Sequence, residues 1–122
     1  MAKILVVDDD RSLRKMLCLT LRKDGFEAIE AADGNQAIKL VESESVDLVL
    51  TDIVMPDKEG IQLIIELKRT NPEIKIIAMS GGGLALSELY LTMAKQVGAD
   101  QIIAKPIFRD DLINMIRQLL GD

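Results

Sequence analysis

The chain has 122 residues, 48% of them hydrophobic, and a net charge of -5 with no histidine. That length suits one domain able to bury a sizeable core, and no stretch has the polar bias of a disordered segment. The lack of histidine excludes His-based triads, His metal ligands and phosphohistidine on this chain, while the acidic balance and 2% aromatic content argue against direct nucleic-acid binding.

Taken in order, short apolar runs alternate with stretches of 3.6-residue period. Residues 4–7 form an apolar run too short for a helix, ended by Asp8, Asp9 and Asp10. A helix is predicted over 11–24, with Leu13, Met16, Leu17, Thr20 and Leu21 on one face, Asp10 as N-cap and Gly25 just past the end. The single cysteine, Cys18, rules out an internal disulfide, suggests a reducing compartment and reads as an inert helix residue. Residues 26–31 read as a strand. Asp33, with Gln36 three residues on, resembles a capping box for a helix whose apolar face is Ala37, Ile38 and Val41. A buried strand follows at 48–50. The helix predicted over 60–69 spaces Ile61, Ile64, Ile65 and Lys68 by three or four and stops at Asn71-Pro72. Residues 74–79 form another strand, and Gly81, Gly82 and Gly83 break the chain. Leu86, Leu89, Tyr90, Met93, Ala94 and Val97 then make one helical stripe that ends at Gly98. A last strand at 101–104 precedes a helix lined by Leu112, Met115, Ile116 and Leu119.

Five βα units with no linker or low-complexity run predict an α/β fold over residues 1–122, a doubly wound five-stranded parallel sheet. The right-handed crossover rule leaves few topologies, of which strand order 2-1-3-4-5 is the one expected. No apolar run reaches the roughly 20 residues that span a bilayer, and the N-terminus has no apolar signal region, so no membrane role and a cytoplasmic location are expected.

Open α/β sheets bind ligands beyond the carboxyl ends of their strands, at the point where strand order reverses. Here the first strand ends in Asp8, Asp9 and Asp10, the third in Thr51-Asp52, the fourth in Ser80 and the fifth in Lys105-Pro106. Each alone has an ordinary explanation as a cap or a solvated strand end. Jointly they bring carboxylates, a hydroxyl and an amine to one rim. Crowded carboxylates need a cation, and Mg²⁺ suits a few carboxylates, carbonyls and waters, whereas the ligand spacing of an EF-hand is missing. A metal beside a carboxylate, a lysine and a hydroxyl is equipment for phosphoryl transfer, with Asp52 on the central strand the best nucleophile.

The strings ILVVDDD, LVLTDIVMPDKEG, IIAMS and GADQIIAKP resemble, in order and over essentially the whole chain, the receiver domain of two-component response regulators. The resemblance implies the flavodoxin-like three-layer sandwich. It implies that Asp9 holds Mg²⁺ directly and Asp8 largely through water, that Asp52 accepts the phosphoryl group and that the Val54 carbonyl is a further metal ligand. It also implies that Ser80 is the switch hydroxyl, that Lys105 contacts the phosphoryl group and that the Lys105-Pro106 bond is cis.

By the same resemblance the donor is a histidine kinase or histidine phosphotransfer protein. The chain is then no enzyme beyond phosphorylating and dephosphorylating its own Asp52. Output passes to a downstream protein on the face made by the fourth helix, fifth strand and fifth helix, where Leu91, Ile102, Ile113 and Leu120, off the assigned core stripes, read either as an apolar docking patch or as scattered exposed aliphatics. Ile102 and Ile107 stand where the family often carries aromatics, and a triple glycine after Ser80 is unusual for it. An aspartyl phosphohydrolase on a related plan is disfavoured because its second aspartate would fall at Val54. A receiver-like scaffold that is never phosphorylated is disfavoured by the intact set Asp8, Asp9, Asp52, Ser80 and Lys105. By the same resemblance the positions that orient the hydrolytic water are Val54 and Gly82, and their lack of a polar side chain implies a slowly hydrolysing acyl phosphate.

Overall fold

The computed structural model describes residues 1–53, 60–80 and 92–121. In chain order these form β1 (Lys3–Val7), α1 (Arg11–Lys23), β2 (Glu27–Ala31), α2 (Gly34–Ser43), β3 (Leu48–Asp52), α3 (Gly60–Thr70) and β4 (Lys75–Ser80). The helical residues 92–97 (α4), β5 (Gln101–Ala104) and α5 (Arg109–Leu120) complete the chain. All strand pairs are parallel, in the order β2-β1-β3-β4-β5 expected from the sequence.

Burial on both faces is what makes a parallel sheet of these strands, and the side chains divide between the faces with a period of two. Leu5, Val7, Val49, Ile76 and Ala78 face one cluster, completed by residues of α2, α3 and α4 such as Ala37, Ile64 and Ala94. Ile4, Val6, Leu48, Leu50, Ile77 and Met79 face the other, under Leu17 and Leu21 of α1 and Leu112 and Ile116 of α5. Each valine, leucine, isoleucine or methionine among them, fully buried, contributes about 1.5–3 kcal/mol. The result is a sheet between two helical layers, with one core on each side.

Local signals set the helix ends. The Asp10 carboxylate accepts from the Leu13 N–H at 3.2 Å, and that of Asp33 from the Gln36 N–H at 2.9 Å. Gln36 reaches back to the Ala32 N–H, one residue before the cap. Gly25 turns the chain out of α1 with φ of 93°, a conformation glycine adopts without steric cost.

Four expectations from helical spacing are corrected. Ile113 is 4% exposed and belongs to the core under α5, because the buried arc of that helix centres on Leu112, Ile113 and Ile116. Met16 and Met93 are exposed, so they do not belong to the buried stripes of α1 and α4. In α3 the inward residues are Ile61, Leu63, Ile64 and Leu67, while Ile65 faces solvent. Ile102 and Leu120 pack against the two cores, so, with Ile113 buried, the expected apolar patch does not stand in the form predicted. Its fourth member, Leu91, lies outside the described residues, as do Val54, Gly81, Gly82, Gly83, Leu86, Leu89 and Tyr90.

Candidate functional site

Parallel strands deliver their carboxyl ends to one rim. Val7 is paired with Thr51, Asp52 with Met79 and Ser80 with Ala104. Asp8 therefore follows β1 beside the end of β3, and Lys105 follows β5 beside the end of β4. β3 extends to Asp52 rather than stopping at Leu50, so the candidate nucleophile is itself a strand residue, paired with Met79 of β4 one residue past the end of the β1 pairing.

Four of the side chains singled out from the sequence, those of Asp8, Asp9, Asp52 and Lys105, are brought together, and Ser80 ends the neighbouring strand β4. Asp8 is fully buried, Asp52 and Ser80 nearly so, and Asp9 is exposed. Ligand oxygens of Asp8, Asp9 and Asp52 all lie within 4.8 Å of one another. The Lys105 ammonium stands between two of these acids, donating to Asp8 Oδ2 at 2.9 Å and to Asp52 Oδ2 at 3.3 Å. Burial works to lower the Lys105 pKa, but the hydrogen bond to Asp8 and the charges of Asp52 and Asp8 outweigh it and raise it above the ordinary value. The lysine is thus fully charged at neutral pH. The Lys105-Pro106 bond is cis, as the resemblance implied. Ser80 is tied to Lys105 through the backbone, its carbonyl accepting from the Lys105 N–H at 2.8 Å.

Asp8 is held at every polar atom. Its N–H donates to the Ala31 carbonyl, its Oδ1 accepts from the Asp10 N–H at 2.9 Å and its Oδ2 accepts from Lys105. Its carbonyl oxygen accepts from Arg14 Nη1 at 2.7 Å. Nothing in the residue pattern singles out Arg14, because its partner at the site is a backbone carbonyl. The same guanidinium donates through Nε to Glu30 Oε1 at 2.9 Å, and Lys15 reaches the other oxygen of that carboxylate. Burial would raise the Glu30 pKa; the hydrogen bonds and charges of Arg14 and Lys15 prevail and hold it below the usual carboxylate value.

Lys105 offsets only one of the three clustered carboxylate charges, and the exposed Asp9 leaves the cluster reachable from solvent. Hard oxygen donors in this number fit Mg²⁺, which binds through a few carboxylates and keeps several waters. The Val54 carbonyl lies outside the described residues.

The response regulator receiver domain family matches residues 4–117 of the chain. Among curated relatives, the transcriptional regulatory protein CpxR of Klebsiella pneumoniae is 40% identical over 120 residues, covering 98% of this chain and 50% of that protein. The chain therefore spans about half the length of the first curated relatives it matches. Of solved structures, the CheY-like receiver domain protein from Methanospirillum hungatei superposes with a TM-score of 0.89 at 30% identity, covering 99% of this chain and 94% of that one. The response regulator TrrA from Thermotoga maritima, solved in complex with Mg²⁺-BeF, gives 0.86 at 31% identity over 98% of this chain and 99% of its own. A doubly wound sheet with acids, a hydroxyl and a lysine at its switch point defines a class of phosphorylation-dependent signalling modules. The chain belongs to the response regulator receiver domain family of two-component systems. No helix among the described residues is long and apolar enough to cross a membrane.

Proposed function

We propose that residues 1–122 act as one receiver domain that accepts a phosphoryl group on Asp52 in a Mg²⁺-dependent step, from the phosphohistidine of a histidine kinase or a histidine phosphotransfer protein. The observation that carries this reading is the Asp52 carboxylate at the end of the central strand, 3.3 Å from the Lys105 ammonium and clustered with Asp8 and Asp9. An Asp52 oxygen attacks phosphorus; the P–O bond forms as the P–N bond breaks, and the electron pair leaves on the imidazole nitrogen, which takes up a proton. Mg²⁺, when bound by Asp8, Asp9, Asp52 and the Val54 carbonyl, would supply charge neutralisation at the phosphoryl oxygens. Lys105 is already charged and placed to move from Asp52 onto one of those oxygens, and Ser80 at the end of β4 supplies a hydroxyl to another.

The chemistry is confined to Asp52, with no separate substrate turned over. The added charge near Ser80 and Lys105 biases β4 and β5, which carry the site, and so the helices that follow them. A downstream protein would read that change on the face of α4, β5 and α5; between β5 and α5 a groove is lined by Ile103, Phe108, Asp111 and Met115. The single buried thiol and the kinase partner suit the cytoplasm.

Incubation with acetyl phosphate followed by intact-mass measurement tests the reading. One phosphoryl mass should appear with Mg²⁺, fall away with excess chelator and be missing from Asp52→Asn. A phosphoryl adduct persisting on Asp52→Asn would move the acceptor elsewhere.

A further inference from the structure

The metal-side acids differ in how they are held. Asp8 is fixed at all four polar atoms, whereas Asp9 is exposed and its carboxylate must still lie near those of Asp8 and Asp52. The direction in which Asp9 leaves the chain is set by the peptide plane joining it to Asp8. That plane is rigid, so a hydrogen bond to the Asp8 carbonyl orients the Asp9 amide and Cα as well. The bond comes from Arg14 Nη1 at 2.7 Å, on the first turns of α1.

Arg14 is in turn held from β2. Its Nε donates to Glu30 Oε1 at 2.9 Å, and Lys15 bonds the second oxygen of Glu30. Glu30 is paired in the sheet with Val6, two residues before Asp8, so the brace is anchored on the strand directly beside the one that ends in the acids. The planar guanidinium, largely buried, makes both bonds through two nitrogens of one rigid fork. We propose that Arg14, braced by Glu30, is a positioning residue for the metal-side acids: it fixes the Asp8–Asp9 peptide so that Asp9 meets Asp8 and Asp52 around one cation. This rests on the Mg²⁺ reading above and goes beyond it by assigning two residues that touch neither metal nor phosphoryl group.

Charge and geometry predict opposite outcomes. As a mere positive charge near an acidic cluster, Arg14 would oppose Mg²⁺, and its removal would tighten binding. As a brace, its loss weakens binding, since partners that orient metal ligands typically account for about 10–100-fold in affinity. The experiment is a Mg²⁺ titration of the full chain followed by amide NMR shifts of Asp9 and Asp52, with thermal unfolding to show that each variant is folded. Arg14→Met keeps an unbranched stem, and Arg14→Lys keeps the charge but cannot span both partners. Both should raise the half-saturating Mg²⁺ concentration by about 10-fold. Glu30→Gln, which retains an acceptor for Nε, should stay within about twofold of the parent. The Mg²⁺ needed for half-maximal phosphorylation by acetyl phosphate should rise by the same factor in the two Arg14 variants, with the rate at saturating Mg²⁺ retained. Tighter or unchanged binding in Arg14→Met, or parent-like binding in Arg14→Lys, would overturn the positioning role while leaving the metal reading in place. A parent chain whose Asp9 and Asp52 amides ignore Mg²⁺ would overturn both.

Discussion

Asp9 and Cys18 are opposite cases at the scale of single residues. Asp9 is exposed, accepts no hydrogen bond among the described residues and adds a third negative charge beside Asp8 and Asp52. In the metal-free chain it contributes repulsion that Lys105 only partly offsets. Asp9→Asn should therefore stabilise that state, by about 0.5–1 kcal/mol once solvent screening is allowed for. Adding Mg²⁺ should raise the urea midpoint of the parent by mass action and leave that of Asp9→Asn nearly unmoved. Equal Mg²⁺ responses in the two chains would remove Asp9 from the metal site. Cys18 is wholly buried between α1 and the sheet, and that burial pushes its thiol up to about 11, with the Glu30 charge adding to the rise. The folded chain thus holds the neutral thiol, while in the unfolded chain the thiol ionises near 9.0. Its contribution to stability is complete below pH 9 and is lost as pH rises from 9 toward about 11. Urea unfolding across that window should show a steeper loss in the parent than in Cys18→Ala. Matching slopes would assign the loss to other groups.

Elements show why the site is sharper than any one motif. α3 begins at Gly60 directly against the end of β3: the Gly60 N–H donates to the Ile53 carbonyl at 2.9 Å. A Cβ at this position would collide with the Asp52 carbonyl oxygen and the Ile53 Cα. Both obstacles are backbone, of the acceptor residue itself and of the residue after it, so neither can turn aside as a side chain would. Gly60→Ala should destabilise the fold by about 1–3 kcal/mol, as overpacking does, and slow phosphorylation of Asp52. Full activity in that variant would mean that α3 shifts without disturbing β3. At its other end α3 is tied by Lys68. The sequence placed Lys68 on the apolar face, and its stem does run beside Gly98, but its ammonium bonds the Ile74 carbonyl at 2.7 Å and Asp100 Oδ2 at 3.0 Å. Such partners are invisible to periodicity, which marks a face without saying what lies on it. The same limit put Ile65 and Met16 in the core and left Ile113 out. A helix lying on a sheet buries an arc whose centre is set by tertiary packing, and a shift of one residue along the sequence turns that centre by 100°. Caps fared better because their partners are local: Asp10 and Asp33 each bond an N–H three residues on. The site residues Asp8, Asp9, Asp52, Ser80 and Lys105 were legible for a different reason. Parallel strands carry chain direction into space, so residues at strand ends converge whatever their distance in sequence. Arg14 and Glu30 were not, since neither stands at a strand end.

On the scale of the whole molecule, the two helical layers are joined to the sheet differently, and α5 has a tie of its own. It packs over the sheet through Leu112, Ile113 and Ile116, yet it follows the outermost strand β5, whose residues are only partly covered. Ion pairs add a second tie along the surface. Asp24, at the C-terminal end of α1, pairs one carboxylate oxygen with Arg109 and the other with Arg117 at 2.6 Å. Arg109 and Arg117 are separated by two turns of α5, so one nearly buried acid spans that helix and fastens it to α1. Because both arginines are about half exposed, each pair alone should contribute no more than about 1 kcal/mol. The arrangement therefore holds α5 in place without making the global fold depend on it. Asp24→Asn should lower overall stability only slightly, by about 1 kcal/mol or less. Amide exchange should rise selectively in α5, since local opening needs less free energy than global unfolding. Exchange in β1 and β3, and the Mg²⁺ response of Asp52, should remain as in the parent, because Asp24 touches neither. If the face of α4, β5 and α5 carries the output, loosening α5 should alter partner binding while leaving the extent of Asp52 phosphorylation unchanged. Hydrogen exchange read by mass spectrometry decides the structural half of this argument. A uniform rise across the sheet would show Asp24 to be part of the global fold, and no rise in α5 would leave its apolar face as its sole anchor.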